Sequence, residues 1–188
     1  MRVQLKEPSA ERKALDVAQG YDEPFGMLSA CHEKVERMLV LLEKLASHLQ
    51  VKGVDEAARQ AARDVLRYFD IAAPLHHEDE ELHVLPLLLR SHDAALVTLA
   101  QQLHTDHNAM TRAWALLRAE LAGLADGTAA ELPPTASMWI DFAALYRRHL
   151  QVEESLAFPA AQMRIDATGS DTMRIDMMVR RGHPRPGT

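Results

Sequence analysis

Four stretches of the chain place apolar side chains three and four positions apart, the spacing that lines one face of an α-helix. From about Pro24 to Gln50 the line is Leu28, Cys31, His32, Val35, Met38, Leu39, Leu42, Leu45 and Leu49. Pro24 stands where a proline commonly opens a helix, because its missing N–H is not needed in the first turn. Gly53 breaks the pattern and Asp55 is a natural N-cap, so a second helix is expected from about Asp55 to Arg90. Its inward line is Ala62, Val65, Phe69, Ala73, His76, Glu80, His83 and Leu87. Pro74 lies inside it and removes a backbone hydrogen bond, which predicts a kink just before His76. A third helix, from about Asp93 to Ala125, carries Leu96, Ala100, Leu103, His107, Met110, Trp114, Leu117 and Leu121, the seam of a bundle. After Pro133-Pro134-Thr135, a fourth reaches about Met163, with Met138, Phe142, Leu145, His149, Val152 and Leu156 on its stripe and Glu153 alongside.

These patterns predict an all-α fold, an up-down four-helix bundle over residues 24–166. An irregular N-terminal extension (1–23) precedes it. Residues 167–188 show no core face beyond Met173 to Val179 and read as a mobile or partner-docking tail. A chain of 188 residues is long enough to bury one core without staples, and 47% hydrophobic, 26% charged and only 5% aromatic residues suit helices better than sheets.

The formal charge of −6, without a dense Lys/Arg face, argues against nucleic acid as partner. No apolar run approaches the roughly 20 residues that span a bilayer, and Met1 to Lys13 lacks the apolar stretch of a signal peptide, so a cytoplasmic protein without a membrane partner is expected. The single cysteine, Cys31, forms no internal disulfide and excludes a thiolate cluster. Any metal must therefore use imidazole and carboxylate.

One segment occurs twice. His76-His77-Glu78-Asp79-Glu80-Glu81-Leu82-His83-Val84-Leu85-Pro86 and His149-Leu150-Gln151-Val152-Glu153-Glu154-Ser155-Leu156-Ala157-Phe158-Pro159 both read HxxxEExxxxP. Four residues are about one helical turn, so each His and its first Glu project from one face at neighbouring levels. A lone HxxxE pair is usually a surface contact. Here both pairs lie on apolar stripes, and the other two helices each set a histidine, His32 or His107, within their own stripe. Burying these groups unpaired costs several kcal/mol, whereas a shared metal compensates them together. Imidazole with carboxylate suits Fe, Mn or Zn, and carboxylates able to bridge favour a dinuclear site, with iron the first choice.

At these residues the chain resembles the hemerythrin-like, or HHE cation-binding, family, in which the first and third helices give a histidine and the second and fourth give HxxxE. The resemblance covers about Pro24 to Met163. It implies that His32, His76, Glu80, His107, His149 and Glu153 are ligands of two iron ions joined by an oxo or hydroxo bridge, with Glu80 and Glu153 as bridging carboxylates. The oxygen-carrying members have two histidines four apart on the third helix, and an Asp five residues after the fourth helix's histidine. Here position 103 is Leu and the carboxylate comes at four, which leaves more open coordination positions.

The expected function is a non-haem di-iron protein that binds O₂ or a related small molecule, for storage, sensing or response to oxidative and nitrosative stress, rather than an enzyme acting on an organic substrate. The enzymatic alternative is peroxide decomposition at the same centre. A third reading is an iron-sensing module whose tail, with Arg174, Arg180, Arg181 and Arg185, docks on a partner. His83 and His104 are additional candidate ligands: His83 follows His76 by seven residues, and His104 precedes His107 by three. His77 fits an alternative register with Glu81, but only the His76 register repeats the fourth helix's distance to proline. Cys31 reads as a small core residue, or as a redox target beside His32.

Overall fold

Helix α1 (Pro24–Lys52) starts where Glu23 accepts a hydrogen bond from the Gly26 N–H and Pro24 occupies the first turn. It stops at Gly53, whose φ of 73° lies in the left-handed region that glycine enters without strain. The computed structural model describes residues 23–129 and 137–185, so the N-terminal extension before Glu23 and the Pro133-Pro134-Thr135 segment lie outside the described residues. Asp55 caps the next helix through the Ala58 N–H at 2.9 Å. Helix α2 (56–89) then runs to the short connection before Asp93, which caps α3 (Ala94–Asp126) through the Ala95 N–H. Gly127, at φ 82°, ends α3. Helix α4 (137–162) completes the four-helix bundle, and a fifth helix, α5 (Ala167–Arg180), packs back on α1 and α2. Among the described residues there is no strand, and no helix is long and apolar enough to cross a membrane.

Three wide, π-helical turns interrupt the long helices: Tyr68–Ala72 and Glu80–Val84 in α2, and Glu153–Ala157 in α4. Each closes on a bond from the residue just before a proline. Ala73 N–H reaches Tyr68 O, Leu85 N–H reaches Glu80 O, and Phe158 N–H reaches Glu153 O, with Pro74, Pro86 and Pro159 next in sequence. A proline has no N–H to give and its ring collides with the carbonyl four residues back. Widening the preceding turn to five residues moves that carbonyl aside, so the helix continues through the proline. The kink expected near Pro74 takes this form.

The wide turns also shift which residues face inward. A regular helix would carry the inward line from Glu80 to His83 and Leu87, and from His149 to Leu156. With one residue added, the buried positions are Val84 and Leu88 in α2 and Ala157 in α4. Leu156 instead faces solvent, and His83 sits half-buried beside α5.

The apolar interior is split in two. One cluster, around Val35, Leu39, Leu42, Phe69, Leu117, Trp139 and Phe142, fills the end near the α1–α2 turn. The other, around Leu28, Leu85, Leu88, Leu103, Phe158, Met173 and Met177, fills the opposite end. Between them every helix of the bundle contributes polar side chains.

Residues 167–188 do not behave as a free tail over their described length. Met173 and Met177, one helical turn apart, are fully buried in the second cluster. At the end of α5, Arg180 and Arg181 close on Asp79, a carboxylate with no solvent exposure, at 2.6 Å each. The arginines assigned to partner docking thus include two that are engaged inside the chain. Arg174 is paired with Asp171, and Arg185 with Asp176. The short core face expected over Met173 to Val179 is the part that docks, through Met173 and Met177.

Candidate metal centre

The polar layer between the two apolar clusters consists of His32 from α1, His76 and Glu80 from α2, His107 from α3, and His149 and Glu153 from α4, all buried. The helical spacing of four does what it should within each motif. His76 Nε2 lies 3.2 Å from Glu80 Oε1, and His149 Nε2 lies 3.0 Å from Glu153 Oε1. The lone histidines close the ring from the other helices: His32 Nε2 is 3.6 Å from Glu80 and 3.3 Å from Glu153, and His107 Nε2 is 3.5 Å from Glu80. His107 Nε2 and His149 Nε2 face each other at 3.1 Å.

These donors form two groups. His32, His76, Glu80 and Glu153 offer ligand atoms all within 4.8 Å of one another, and Glu80, His107, His149 and Glu153 do the same. Both glutamates belong to both groups. His83 and His104 belong to neither: His83 contacts Asp176 and Arg180 of α5, and His104 is exposed at 3.4 Å from Glu81. Leu103 is packed in the second apolar cluster.

Residues not identified from the sequence hold the histidines in place. The second glutamate of each motif reaches across to the lone histidine of a neighbouring helix. Glu154 Oε1 lies 2.7 Å from His32 Nδ1, and Glu81 Oε1 lies 2.9 Å from His107 Nδ1. With Nδ1–H donating outward, Nε2 of each ring points to the shared interior. Asp106 stands 3.6 Å from His149 Nδ1 in a similar position. The signal was present in the repeat itself, since both copies read EE rather than E. Phe158 stacks on the face of His32 at a centroid distance of 5.1 Å and further restricts its ring.

The donor set fits a metal. His32 Nε2, His76 Nε2, both oxygens of Glu80 and Glu153 Oε2 are buried without a well-formed hydrogen bond. Such groups are costly to bury unless something positive satisfies them. Without an ion, protons take that part. Burial alone would lower the His32 imidazole, but the Glu153 and Glu80 carboxylates outweigh it and push it up to about 10. His107, held by Glu80 and Glu81 against the same burial penalty, rises to about 9. His76 goes the other way, lowered well below its ordinary value by burial and by the charge of His32. Burial and the charge of Glu153 raise Glu80; burial would raise Glu153 as well, but the neighbouring imidazoles of His149 and His32 hold it well below the usual carboxylate range. Carboxylates that raise His32 and His107 in spite of their burial make the centre favourable to positive charge.

Cys31 is half-buried rather than a core residue, and its sulfur lies 3.9 Å from Nη2 of Arg181.

The family model of the hemerythrin HHE cation binding domain matches residues 23–161 of the chain. An uncharacterized protein of Haemophilus influenzae is 32% identical over 136 residues, which span 72% of this chain and 77% of that protein.

Proposed function

The chain belongs to the hemerythrin HHE cation-binding domain family, and on that premise we propose that it holds two iron ions and binds O₂ or a related small molecule at them. The ligands in this reading are His32, His76, Glu80, His107, His149 and Glu153. The observation that carries it is the membership of Glu80 and Glu153 in both donor groups, with each group completed by two imidazoles. Two carboxylates shared between two sets of nitrogens suit a pair of ions better than one.

Each part of the chain has a defined task. Glu80 and Glu153 join the two halves of the site. His32 and His107 keep Nε2 turned inward because Glu154 and Glu81 hold their Nδ1 atoms. The apolar clusters on both sides exclude bulk water, which strengthens the charge interactions between them. Iron, when bound, supplies reversible redox chemistry and a coordination position for a diatomic or peroxide ligand. The donor chemistry would also accept manganese or zinc.

The test is anaerobic purification followed by metal analysis and exposure to air. The reading expects about two irons per chain and near-ultraviolet absorption that develops with oxygen. Tightly held zinc in a colourless protein would overturn it. Oxygen evolution on adding H₂O₂, lost in Glu153→Ala, would instead assign the same centre to peroxide decomposition.

A further inference from the structure

The two copies of the HxxxEE segment differ at the positions that meet α5. Asp79, just before the inward Glu80, has Val152 as its counterpart before Glu153, and His83 has Leu156. Asp79 has no solvent exposure, and α5 engages both its oxygens: Arg180 lies 2.6 Å from one and Arg181, at the C-cap, 2.6 Å from the other. Arg180 also reaches His83 Nε2 at 3.2 Å, and Asp176 of α5 stands 3.6 Å from the same nitrogen. The wide turn Glu80–Val84 is therefore held from outside at Asp79, which precedes it, and at His83 within it. Arg181 continues across to α1, where its Nη2 lies 3.9 Å from the sulfur of Cys31, the neighbour of His32. One guanidinium thus touches the residue beside Glu80 and the residue beside His32, on two different helices.

Met173 and Met177 cover apolar surface, but the charged grip has a further consequence. A carboxylate stripped of both its partners is not stable in a buried position. If α5 lifts, Asp79 must turn toward water, and because it is joined directly to Glu80, the start of the wide turn moves with it. Glu80 belongs to both donor groups, so its displacement disturbs the whole centre. A docked α5 and a filled centre call for the same placement of Glu80, and each therefore favours the other. Val152 and Leu156 offer no charge for such a grip, so the second motif is not handled in this way.

We propose that α5 is a latch on the metal centre. Arg180 and Arg181 are positioning residues that act through Asp79 and His83 on Glu80, and undocking of α5 weakens the hold on metal. This rests on the di-iron reading and assigns to the C-terminal helix the control of metal retention.

Full-length protein is loaded anaerobically with Fe(II) and its affinity measured by competition with a chelator, under conditions where every variant is folded. Arg180→Ala/Arg181→Ala should bind iron about tenfold more weakly, and Arg180→Lys/Arg181→Lys, which restores the charge at Asp79, should recover part of the loss. Leu121→Ala, a fully buried change in the other apolar cluster, lowers stability without touching α5 and should keep wild-type affinity. Wild-type affinity in the double Ala variant, or an equal loss in Leu121→Ala, would overturn the proposal. If the double Ala variant does not fold, hydrogen exchange of the wild type decides it. Coupling is reciprocal, so iron should slow the exchange of α5 amides that open locally by about the same tenfold, and exchange in α5 that is unchanged by iron overturns the assignment. Wild-type protein that takes up no iron would instead overturn the reading beneath it.

Discussion

Glu154 Oε1 lies 2.7 Å from Nδ1 of His32, although 122 residues separate them in sequence. Glu81 and His107 repeat the contact at 2.9 Å. The two HxxxEE motifs are thus used in the same way, the first glutamate facing the centre and the second steadying a histidine on another helix. Replacing either outer glutamate by Gln should leave the fold intact and weaken metal binding about 10- to 100-fold, the usual effect of losing such a partner. Competition against a chelator of known affinity measures it. Unchanged affinity in both variants would show that the contacts do not orient the rings.

Metal and protons compete for His32 and His107. Their values in the folded chain, about 10 and about 9, lie above the roughly 6.5 of an unfolded histidine. Folding therefore gains from their protonation below about pH 6.5, and that gain disappears as pH rises toward 9 to 10. The metal-free protein should show a falling unfolding temperature over that alkaline range. Loading with metal near neutral pH should release protons, seen with an indicator in weak buffer. An unfolding temperature that rises with pH, together with metal uptake that releases no acid, would contradict this account of the cluster.

Asp79 is buried between His76 and Glu80 in sequence and is held by Arg180 and Arg181. Removing both arginines strands a carboxylate with no exposure. The double variant Arg180→Ala/Arg181→Ala should lose about 3 kcal/mol of stability in urea unfolding, and each single variant distinctly less. A double variant as stable as the wild type would mean that the two arginines do not stabilise the buried Asp79.

Pro86 and Pro159 account for the wide turns that begin at Glu80 and Glu153. Substituting Ala restores an N–H and removes the ring, so the turn can relax to the ordinary α form and rotate the glutamate relative to its histidine. The metal-free Pro159→Ala variant should unfold at the same temperature as the wild type or higher, while its metal affinity falls. Lower stability with unchanged affinity would show the turn to be structural alone.

Much of this architecture is legible in the chain. The stripes locate four helices within a few residues, and two identical spacings plus two histidines on apolar faces single out six donors that the structure brings together. What escaped has physical causes. A periodic reading assumes one pitch, so it carries the inward line to His83 and Leu156, whereas the extra residue in each wide turn brings Val84 and Ala157 inside. The prolines that enforce those turns read only as the last letter of a repeat. Glu81 and Glu154 look like solvated neighbours of the inward glutamates, because their partners lie on other helices. The core face at Met173 to Val179 was legible, but the docking of α5 also uses Arg180 and Arg181, whose counterpart, Asp79, is distant in sequence.

In the proposed centre Glu80 and Glu153 are common to two metal ions. Anaerobic titration of metal-free protein with Fe(II), followed to saturation, decides whether they are. The expected end point is two ions per chain in the wild type and one or fewer in Glu80→Ala and Glu153→Ala alike. A wild-type end point of one, or a loss confined to one of the two variants with the second ion retained in the other, would contradict it.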